Sequence, residues 1–395
     1  MFPLASPVPM AGSVAAAVPV VLSIILWSIA LLSVCSIAYW TYLVLFVVRG
    51  SEYPEIEHDP SEVQVRILTV DSPQIIQKSV SAIPDTVTDR HVIAEEPMDI
   101  QGATVHVVPD SFDSEAIRKG RALEWARQNV PCGKEFVLYL DEDSLMSDFE
   151  GVPDADVVQF RERPRRSRSW LSYLAEVFRM GFQIEQRAFP SLSVPLYAWG
   201  GGIAIRSDLE NRVTWDHHTM IEDTAFVWNA VAMDGAVDFD MARTKFDTQA
   251  PPTIRAMVSQ RSRWLAGSQS ESDLLPLPYH LLTTVRNLAW ALSPAVPFLT
   301  LVPLLVPGTI LFETAFQVLS VLVFSFVVVW SIAGAAYYDR SVLLGLVVVV
   351  LSPLVSLLHS FGAFVGLVAP PNDFSVTRKI SPEHVDTPER EVEGD

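Results

Sequence analysis

Hydrophobic residues are concentrated at the two ends of the 395-residue chain, and a polar region lies between them. No charged residue occurs from Met1 to Val48, and the apolar stretch from Ala15 to Val48 exceeds the roughly 20 residues that a helix needs to cross a bilayer. A cleavable signal peptide would have a basic start and a shorter apolar core. The sequence therefore predicts a retained transmembrane anchor over residues 1–50.

Three more uncharged stretches follow Arg286, at about residues 287–312, 314–338 and 341–372. Each is long enough to cross a membrane once, so we expect membrane helices, including interfacial segments, over residues 276–372. The first stretch contains four prolines that predict kinks or an interfacial position: Pro294, Pro297, Pro303 and Pro307. The last stretch is broken at Pro353 and Pro370, so it either spans the membrane or enters and returns.

Few positive charges flank these stretches, namely Arg49, Arg286, Arg340, Arg378 and Lys379. They set the orientation only weakly, because it is basic residues near the spans that favour the cytoplasmic side. We expect an integral protein of the cell membrane whose polar domain faces the cytoplasm, with a short acidic tail over residues 373–395.

The polar region, from about residue 62 to 250, alternates short β-branched runs with longer helical patterns, which predicts an α/β layered domain. We place this domain at residues 51–275. The predicted strands are 65–70, 91–94, 104–108, 135–140, 155–160, 202–205 and 237–239. The predicted helices are 73–81, 114–129, 170–187 and 221–233.

An apolar run from Glu135 ends in three consecutive acids, Asp141, Glu142 and Asp143. Ligands of open α/β sheets lie beyond the carboxyl ends of the strands, where carboxylates can hold a divalent cation such as Mg or Mn. Three adjacent acids also repel one another unless a cation is present. We therefore expect Asp141 and Asp143 to hold a metal that neutralises a substrate diphosphate.

Acids also follow two other predicted strands, at Asp71 and at Glu95 with Glu96. Carboxylates at a strand edge can accept hydrogen bonds from the base and ribose of a nucleotide, although acids are common in turns as well. Arg118, Lys119 and Arg121 lie on a helical pattern just before the acid cluster. They either approach the diphosphate or form a solvated basic face.

The sequence Tyr-Ala-Trp-Gly-Gly-Gly, from Tyr197 to Gly202, contains the third candidate element. Glycines such as Gly201 allow a sugar ring to approach the backbone, and Trp199 offers a flat apolar face for an acceptor. The alternative is an ordinary tight turn.

Glu222 and Asp223 open a predicted helix, where carboxylates are favoured by the helix dipole, so capping is one interpretation of both. The functional interpretation makes Asp223 the general base that takes the proton of an acceptor hydroxyl.

The run Gln-Arg-Ser-Arg-Trp, from Gln260 to Trp264, lies just before the apolar region. Arg261 or Arg263 can bind a diphosphate bidentately, and Trp264 can stack on an acceptor sugar. The alternative is a basic amphipathic helix that lies on the membrane.

The formal net charge of −18 argues against nucleic acid as a partner and against docking to anionic lipid headgroups. The chain has only two cysteines, so neither a disulfide framework nor a cysteine metal site is expected.

Together these motifs resemble family 2 glycosyltransferases of the GT-A fold, a Rossmann-like domain for nucleotide-diphospho-sugars, here inserted between transmembrane helices. Over residues 63–268 the chain is most similar to the egghead-type membrane β-1,4-mannosyltransferases. That resemblance rests on VRILTVDSPQIIQ, RKGRALEWA, LYLDEDSLM, YAWGGG, VTWDHHTMIEDTAF and SQRSRWLAG.

The resemblance implies residue roles that agree with the analysis above. Asp143 would hold the metal, Asp141 the nucleotide, and Asp223 would be the base. The other implied binding residues are Glu95 or Glu96 for the nucleotide, and Gln260, Arg263 and Trp264 for the diphosphate and acceptor. We also expect Glu222 to bind the acceptor.

The sequence thus predicts a membrane-bound inverting glycosyltransferase. It would transfer a hexose from a GDP- or UDP-linked donor to a lipid-linked or glycan acceptor, at a membrane whose lipid is also a partner. The alternative is a processive polysaccharide synthase of the cellulose or hyaluronan synthase type. A non-catalytic scaffold or a transporter is less favoured, because only Glu313 and His359 are ionisable groups near membrane depth.

Overall fold

The computed structural model describes residues 11–146, 148–337, 341–371, 379–381 and 385. Arg340, Arg378 and most of the expected acidic tail lie outside these residues.

The strands are β1 (Val63–Thr69), β2 (Asp89–Ala94), β3 (Thr104–Val107), β4 (Phe136–Asp141), β5 (Val157–Arg165), β6 (Ile203–Arg206) and β7 (Phe239–Gln249). The helices of the polar region are α2 (Pro73–Ser81), α3 (Lys119–Asn129), α4 (Trp170–Met180), α5 (Ser207–Val213), α6 (Glu222–Asp234) and α7 (Ile254–Glu271). The remaining helices are α1 (Ala11–Tyr42), α8 (Leu277–Leu292), α9 (Val296–Leu299), α10 (Val302–Leu305), α11 (Glu313–Tyr337), α12 (Val342–Val350) and α13 (Ser352–Val368).

The seven strands form one mixed sheet in the order β3-β2-β1-β4-β6-β5-β7. Only β6 is antiparallel to its neighbours, β4 and β5; the other pairs are parallel. All seven residues of β1 are buried, as expected for a central strand covered on both faces. Helices α3 and α6 pack on one face of the sheet and α2 on the other. The predicted α/β class is confirmed.

Two predicted elements differ in extent from the observed ones. The helix expected over residues 170–187 is α-helical only to Met180 and continues as a 3-10 stretch, Gly181–Ser191. The short strand expected near residue 239 is the eleven-residue β7, which pairs along β5 across a register shift between Gln159 and Arg161. The 3-10 stretch and β7 contact each other.

Within the described ranges, three helices are long and apolar enough to cross a membrane: Val18–Val48, Leu277–Leu305 and Glu313–Tyr337. Helices α12 and α13 form a bent pair with 74° between them, which would make a fourth if it counts as one span. The second span begins ten residues earlier than predicted and includes Arg286, whose Nη2 lies 2.5 Å from Oε2 of Glu185. Its proline-rich end is divided into α9 and α10, in agreement with the expected kinks.

Helix α7 rests on α13 with almost no space between their backbones. A Cβ on Gly362 would lie 2.5 Å from the Cβ of Arg261, and one on Gly366 would lie 2.5 Å from the carbonyl oxygen of Ser262. Two glycines four residues apart on a membrane helix allow such an approach. The membrane region thereby fixes the position of the segment from Gln260 to Trp264.

Candidate active site

A cavity of about 1130 Å³ opens beyond the carboxyl ends of β1 and β4 and continues between α1, α8, α11 and α13. Most sequence-predicted site residues line its polar end: Asp71, Glu95, Lys119, Asp141, Asp143, Trp199, Glu222, Asp223, Gln260, Arg263 and Trp264. Residues distributed over nearly 200 positions of the chain therefore share one wall.

Lys119 joins the two acidic motifs. Its Nζ lies 3.0 Å from Oδ1 of Asp141, 3.4 Å from Oε1 of Glu222 and 3.3 Å from Oδ2 of Asp223. Burial opposes the charge of Lys119. The three carboxylates nevertheless hold the pKa of Lys119 well above its ordinary value, and Asp141 has the largest effect among them. Lys119 is the first residue of α3, so the start of that helix places one cation among three acids.

Asp141 and Asp143 lie at the end of β4, as predicted. Burial would raise the pKa of Asp141, but the ammonium groups of Lys119 and Lys379 outweigh it and lower that pKa. The Asp143 side chain is fully buried: its Oδ2 accepts a 2.6 Å hydrogen bond from the backbone N–H of Gln249, and its Oδ1 lies 2.6 Å from Nζ of Lys379. Both carboxylates line the cavity.

The donor set suits a hard divalent cation. Among the described residues, no group of three or more His, Cys, Asp and Glu is arranged to hold a metal. Mg²⁺ commonly binds to one or two carboxylates and takes its other ligands from substrate phosphates and water. Two aspartates beside a cavity large enough for a nucleotide fit that pattern, so Asp141 and Asp143 could hold Mg or Mn together with a diphosphate.

Asp223 is buried in the first turn of α6, next to Glu222. Burial, together with the charges of Glu222 and Asp141, raises the pKa of Asp223 to about 7, while Lys119 opposes the shift. Both side chains turn towards Lys119, although capping of α6 was the alternative interpretation. A carboxyl group with a pKa near neutrality is suited to accept and release a proton.

The two arginines of the Gln260–Trp264 segment of α7 have different surroundings. Arg263 lines the cavity and donates a 2.6 Å hydrogen bond to the carbonyl oxygen of Met220, just before Glu222. Arg261 is fully buried outside the lining, where it pairs with Glu176 and donates to Gln260 Oε1 at 2.7 Å. Donor binding by Arg261 stays a prediction, and its position suits a structural role.

Two further predictions concern positions that are not part of the cavity lining. Glu96 is exposed, whereas Glu95 lines the cavity and lies 3.2 Å from Nη1 of Arg121. Gly201 is buried behind the wall, and a Cβ there would lie 1.9 Å from Oε1 of Glu162. The contribution of Gly201 is therefore space for Glu162, and its role with an acceptor stays a prediction.

Sequence analysis missed a buried ionic cluster formed by Glu162, Arg179, Glu176 and Arg261. Arg179 Nη2 lies 3.0 Å from Glu162 Oε2, and its Nε lies 2.6 Å from Glu176 Oε2. The Arg179 guanidinium also lies over the rings of two tryptophans, 5.0 Å from Trp199 and 5.4 Å from Trp264. The cluster thus positions both aromatic faces. The available signal was the presence of Glu176 and Arg179 inside the otherwise apolar segment α4.

The deeper half of the cavity lies among α1, α8, α11 and α13. Its wall is largely apolar, with small hydroxyls and aromatic rings: Ser33, Ser36, Trp40, Trp290, Phe326, Ser356, His359 and Ser360. Three buried ring nitrogens on this cavity have no hydrogen-bond partner in the described part of the chain: Trp199 Nε1, Trp290 Nε1 and His359 Nδ1.

The family model for glycosyl transferase family group 2 matches residues 136–338, which is just over half of the chain. The chain belongs to this family. The match begins in β4, ends after α11, and includes the acid cluster, Glu222, Asp223 and the Gln260–Trp264 segment. The protein is therefore a glycosyltransferase.

Solved structures with the same architecture include a mannosyltransferase from Pyrobaculum calidifontis in complex with GDP-Man and Mn²⁺. It is 12% identical, with a TM-score of 0.50, over 87% of this chain and 98% of that chain. A glucosyl-3-phosphoglycerate synthase from Mycobacterium tuberculosis, in complex with Mg²⁺ and UDP, is 12% identical over 53% of this chain and 78% of that chain, with a TM-score of 0.36. No curated protein sequence matches this glycosyltransferase. At 12% identity the first likeness shows the fold alone, and it confirms the predicted GT-A class.

Proposed function

We propose that this glycosyltransferase transfers one hexose, with inversion, from a GDP- or UDP-linked donor to a hydroxyl of a lipid-linked acceptor at the membrane surface. The observation that carries the proposal is the juxtaposition of Asp141 and Asp223, which both contact Lys119. This arrangement puts a candidate metal ligand and a candidate base in contact with one ammonium group. The motif likeness to egghead-type enzymes favours mannose as the sugar.

On this proposal, Asp141 and Asp143 hold Mg or Mn, which supplies positive charge to the leaving diphosphate. Arg263 and Gln260 face the same space and bind phosphate oxygens. Asp223 takes the proton of the acceptor hydroxyl while that oxygen bonds to the anomeric carbon. The bond from that carbon to the diphosphate oxygen breaks on the opposite face, so one base suffices for inversion.

The acceptor is proposed from the shape of the cavity. Because its deeper half lies among the membrane helices, the tail of a lipid can remain between α1, α11 and α13 while the headgroup reaches Asp223. The unpartnered ring nitrogens of Trp199, Trp290 and His359 could donate to or accept from headgroup hydroxyls. A soluble nucleotide sugar would enter from the sheet edge, and we place that edge on the cytoplasmic side.

Donor binding is testable by thermal unfolding of the purified protein with GDP or UDP, each with and without Mn²⁺. One nucleotide should raise the unfolding temperature when Mn²⁺ is present, because a ligand that binds only the folded state stabilises it by about 2.7 kcal/mol at 100 times its Kd. Manganese alone and adenosine diphosphate serve as controls. Absence of a shift with either nucleotide would contradict the proposal.

Acceptor entry is testable by filling the deeper cavity. Ser36→Trp places a large ring on the α1 wall, so kcat/KM for a lipid-linked acceptor should fall at least about tenfold. Protection by the nucleotide should persist, because Ser36 lies on α1, whereas Asp141 lies at the end of β4. Cys35→Trp is the matched control, since Cys35 is the preceding residue and is exposed. Equal activity of the two variants would exclude this route for the acceptor.

A further inference from the structure

The bent pair α12–α13 is attached to the polar domain at both of its ends. Before it, Nη2 of Arg161 on β5 donates a 2.8 Å hydrogen bond to the carbonyl oxygen of Tyr337, the last residue of α11. After it, the side-chain amide of Gln249, at the end of β7, exchanges two 3.1 Å hydrogen bonds with the backbone of Ile380. Strands β5 and β7 are neighbours in one sheet. A single crossing between the two attachments would therefore place that sheet on both sides of the bilayer.

Helix α13 also lies against two helices of the polar domain. Gly362 and Gly366 bring its backbone against α7. One turn earlier, the ring of His359 lies 5.5 Å from the ring of Phe178 on α4. The polar domain therefore covers one side of α13 from His359 to Gly366.

Helix α12 has a packed side and an exposed side. Val348 is buried in an apolar cluster with Tyr173 of α4 and Met257 of α7. The exposed side chains are large and apolar: Val342, Leu343, Leu346 and Val350. With nine residues, α12 is about 14 Å long, less than half of the roughly 30 Å of bilayer hydrocarbon. A single leaflet is therefore deep enough to cover this exposed side.

Two exposed arginines lie close to the helices on which α12 packs. The chain before α4 runs beside the chain before α7, because Ser167 Oγ donates a 3.3 Å hydrogen bond to the carbonyl oxygen of Pro251. Arg168 follows the first of these residues, and Arg255 lies in the first turn of α7. Both arginines are exposed, so the adjoining ends of α4 and α7 present positive charge to their surroundings.

Trp170, the first residue of α4, lies between this charge and α12. It is 53% exposed, and its ring lies 5.9 Å from the ring of Tyr173, which shares an apolar cluster with α12. Tryptophan is enriched where a membrane meets water. Arg168, Trp170 and Arg255 thus form a basic rim beside the exposed apolar side of α12.

The basic rim carries a charge opposite to that of the whole chain. The stretches 163–175 and 248–270 contain seven arginines and no aspartate or glutamate, although the formal net charge of the chain is −18. Basic residues close to a membrane surface are attracted by anionic lipids over short distances. The argument from net charge against docking to anionic headgroups therefore does not apply to this face.

We propose that α12 is embedded in the leaflet on the side of the polar domain, and that the basic rim binds headgroups of anionic phospholipids in that leaflet. The pair α12–α13 then enters and returns instead of crossing. Helix α12 contacts α11, a candidate span, so its exposed side continues the surface that faces lipid. This inference does not depend on the sugar donor or the acceptor.

Headgroup binding is testable by native mass spectrometry of the full-length protein titrated with phosphatidylglycerol or phosphatidylcholine. Wild type should prefer phosphatidylglycerol. The double variant Arg168→Gln/Arg255→Gln should bind that lipid about 25-fold more weakly, because each basic residue near an anionic surface contributes roughly fivefold. The control Arg212→Gln/Arg243→Gln removes two other exposed arginines and should bind like wild type. Equal affinity of the rim variant and wild type for phosphatidylglycerol would overturn the assignment of the rim.

The position of α12 is testable with a membrane-impermeant maleimide on vesicles that hold the protein in one orientation, after both native cysteines are replaced by serine. Ser341→Cys, before α12, and Ser381→Cys, after α13, should be labelled from the same side as Asp208→Cys on the polar domain. Val350→Cys should be labelled from neither side until detergent is added, because lipid covers it. Labelling of positions 341 and 381 from opposite sides, or of position 350 without detergent, would overturn the inference.

Discussion

Asp223→Asn is expected to lower the rate of sugar transfer about 10²- to 10⁴-fold, the usual contribution of a positioned general base. Asparagine has nearly the same shape but cannot take the proton of the acceptor hydroxyl. In this variant Lys119 keeps its ion pairs with Asp141 and Glu222. Protection of the folded protein by the nucleotide should therefore persist. The measurement is single-turnover transfer from the labelled donor, together with the Mn²⁺-dependent unfolding shift.

The control for this variant is Asp208→Asn, which changes an exposed aspartate in the first turn of another helix, α5. It should have nearly wild-type activity.

The pH dependence of activity gives a second test, because the pKa of Asp223 is raised to about 7 and only the ionised carboxylate can act as a base. Wild-type kcat/KM should therefore fall about tenfold per pH unit below that pKa, and residual Asp223→Asn activity should not show this decline. Retained turnover in Asp223→Asn would refute the assignment.

Glu176→Gln is expected to produce the largest loss of stability, about 3–5 kcal/mol, because it leaves Arg179 and Arg261 buried without their shared carboxylate. Although burial opposes ionisation, these two guanidinium groups lower the pKa of Glu176 from 4.5 to about 2. Arg261 remains charged, although burial lowers its pKa somewhat. Thermal unfolding in detergent measures the loss, and Trp199 and Trp264 should report it by fluorescence.

Glu135→Gln is the control, because it breaks the ion pair between Arg206 and Glu135 at the surface and should cost no more than about 1 kcal/mol.

The lowered pKa of Glu176 also determines how its contribution to stability changes with pH. Since the folded-state pKa of Glu176 lies below its ordinary value, its contribution is present above about pH 4.5 and is lost as the pH falls through about 2. The difference between wild type and Glu176→Gln should shrink over that interval. Equal unfolding temperatures for the variant and wild type at neutral pH would contradict the role of the cluster.

Local sequence patterns were sufficient to predict those helices and strands whose residues interact with their sequence neighbours or with a continuous core. Helix α2 has the predicted bounds, because Pro73 fixes its first turn and its buried positions have helical spacing. Strands β1 and β4 were predicted from apolar runs, since central parallel strands are buried on both faces. The length of β7 could not be predicted, because its polar half is defined by pairing with β5.

Short motifs were sufficient to predict most of the residues that line the polar end of the cavity, whereas contacts between distant residues were missed. The sequence could not distinguish Arg261 from Arg263, because helix phase alone does not say which side faces a cavity. The contact of α7 with Gly362 and Gly366 decides it, by turning Arg261 towards Glu176. Lys379 pairs with Asp143, which lies far from it in the sequence, only through the folded structure, so no spacing pattern indicated this contact.

The close approach of α7 to α13 also bears on how the protein folds. Gly362 packs against Arg261, which belongs to the buried ionic cluster. A chain truncated before α13 would therefore expose one side of that cluster to solvent. The wall that holds Trp199 and Trp264 would then lose its support. We therefore expect the catalytic region and the C-terminal helices to unfold together, and we expect residues 51–275 not to reach their native structure when they are synthesised alone.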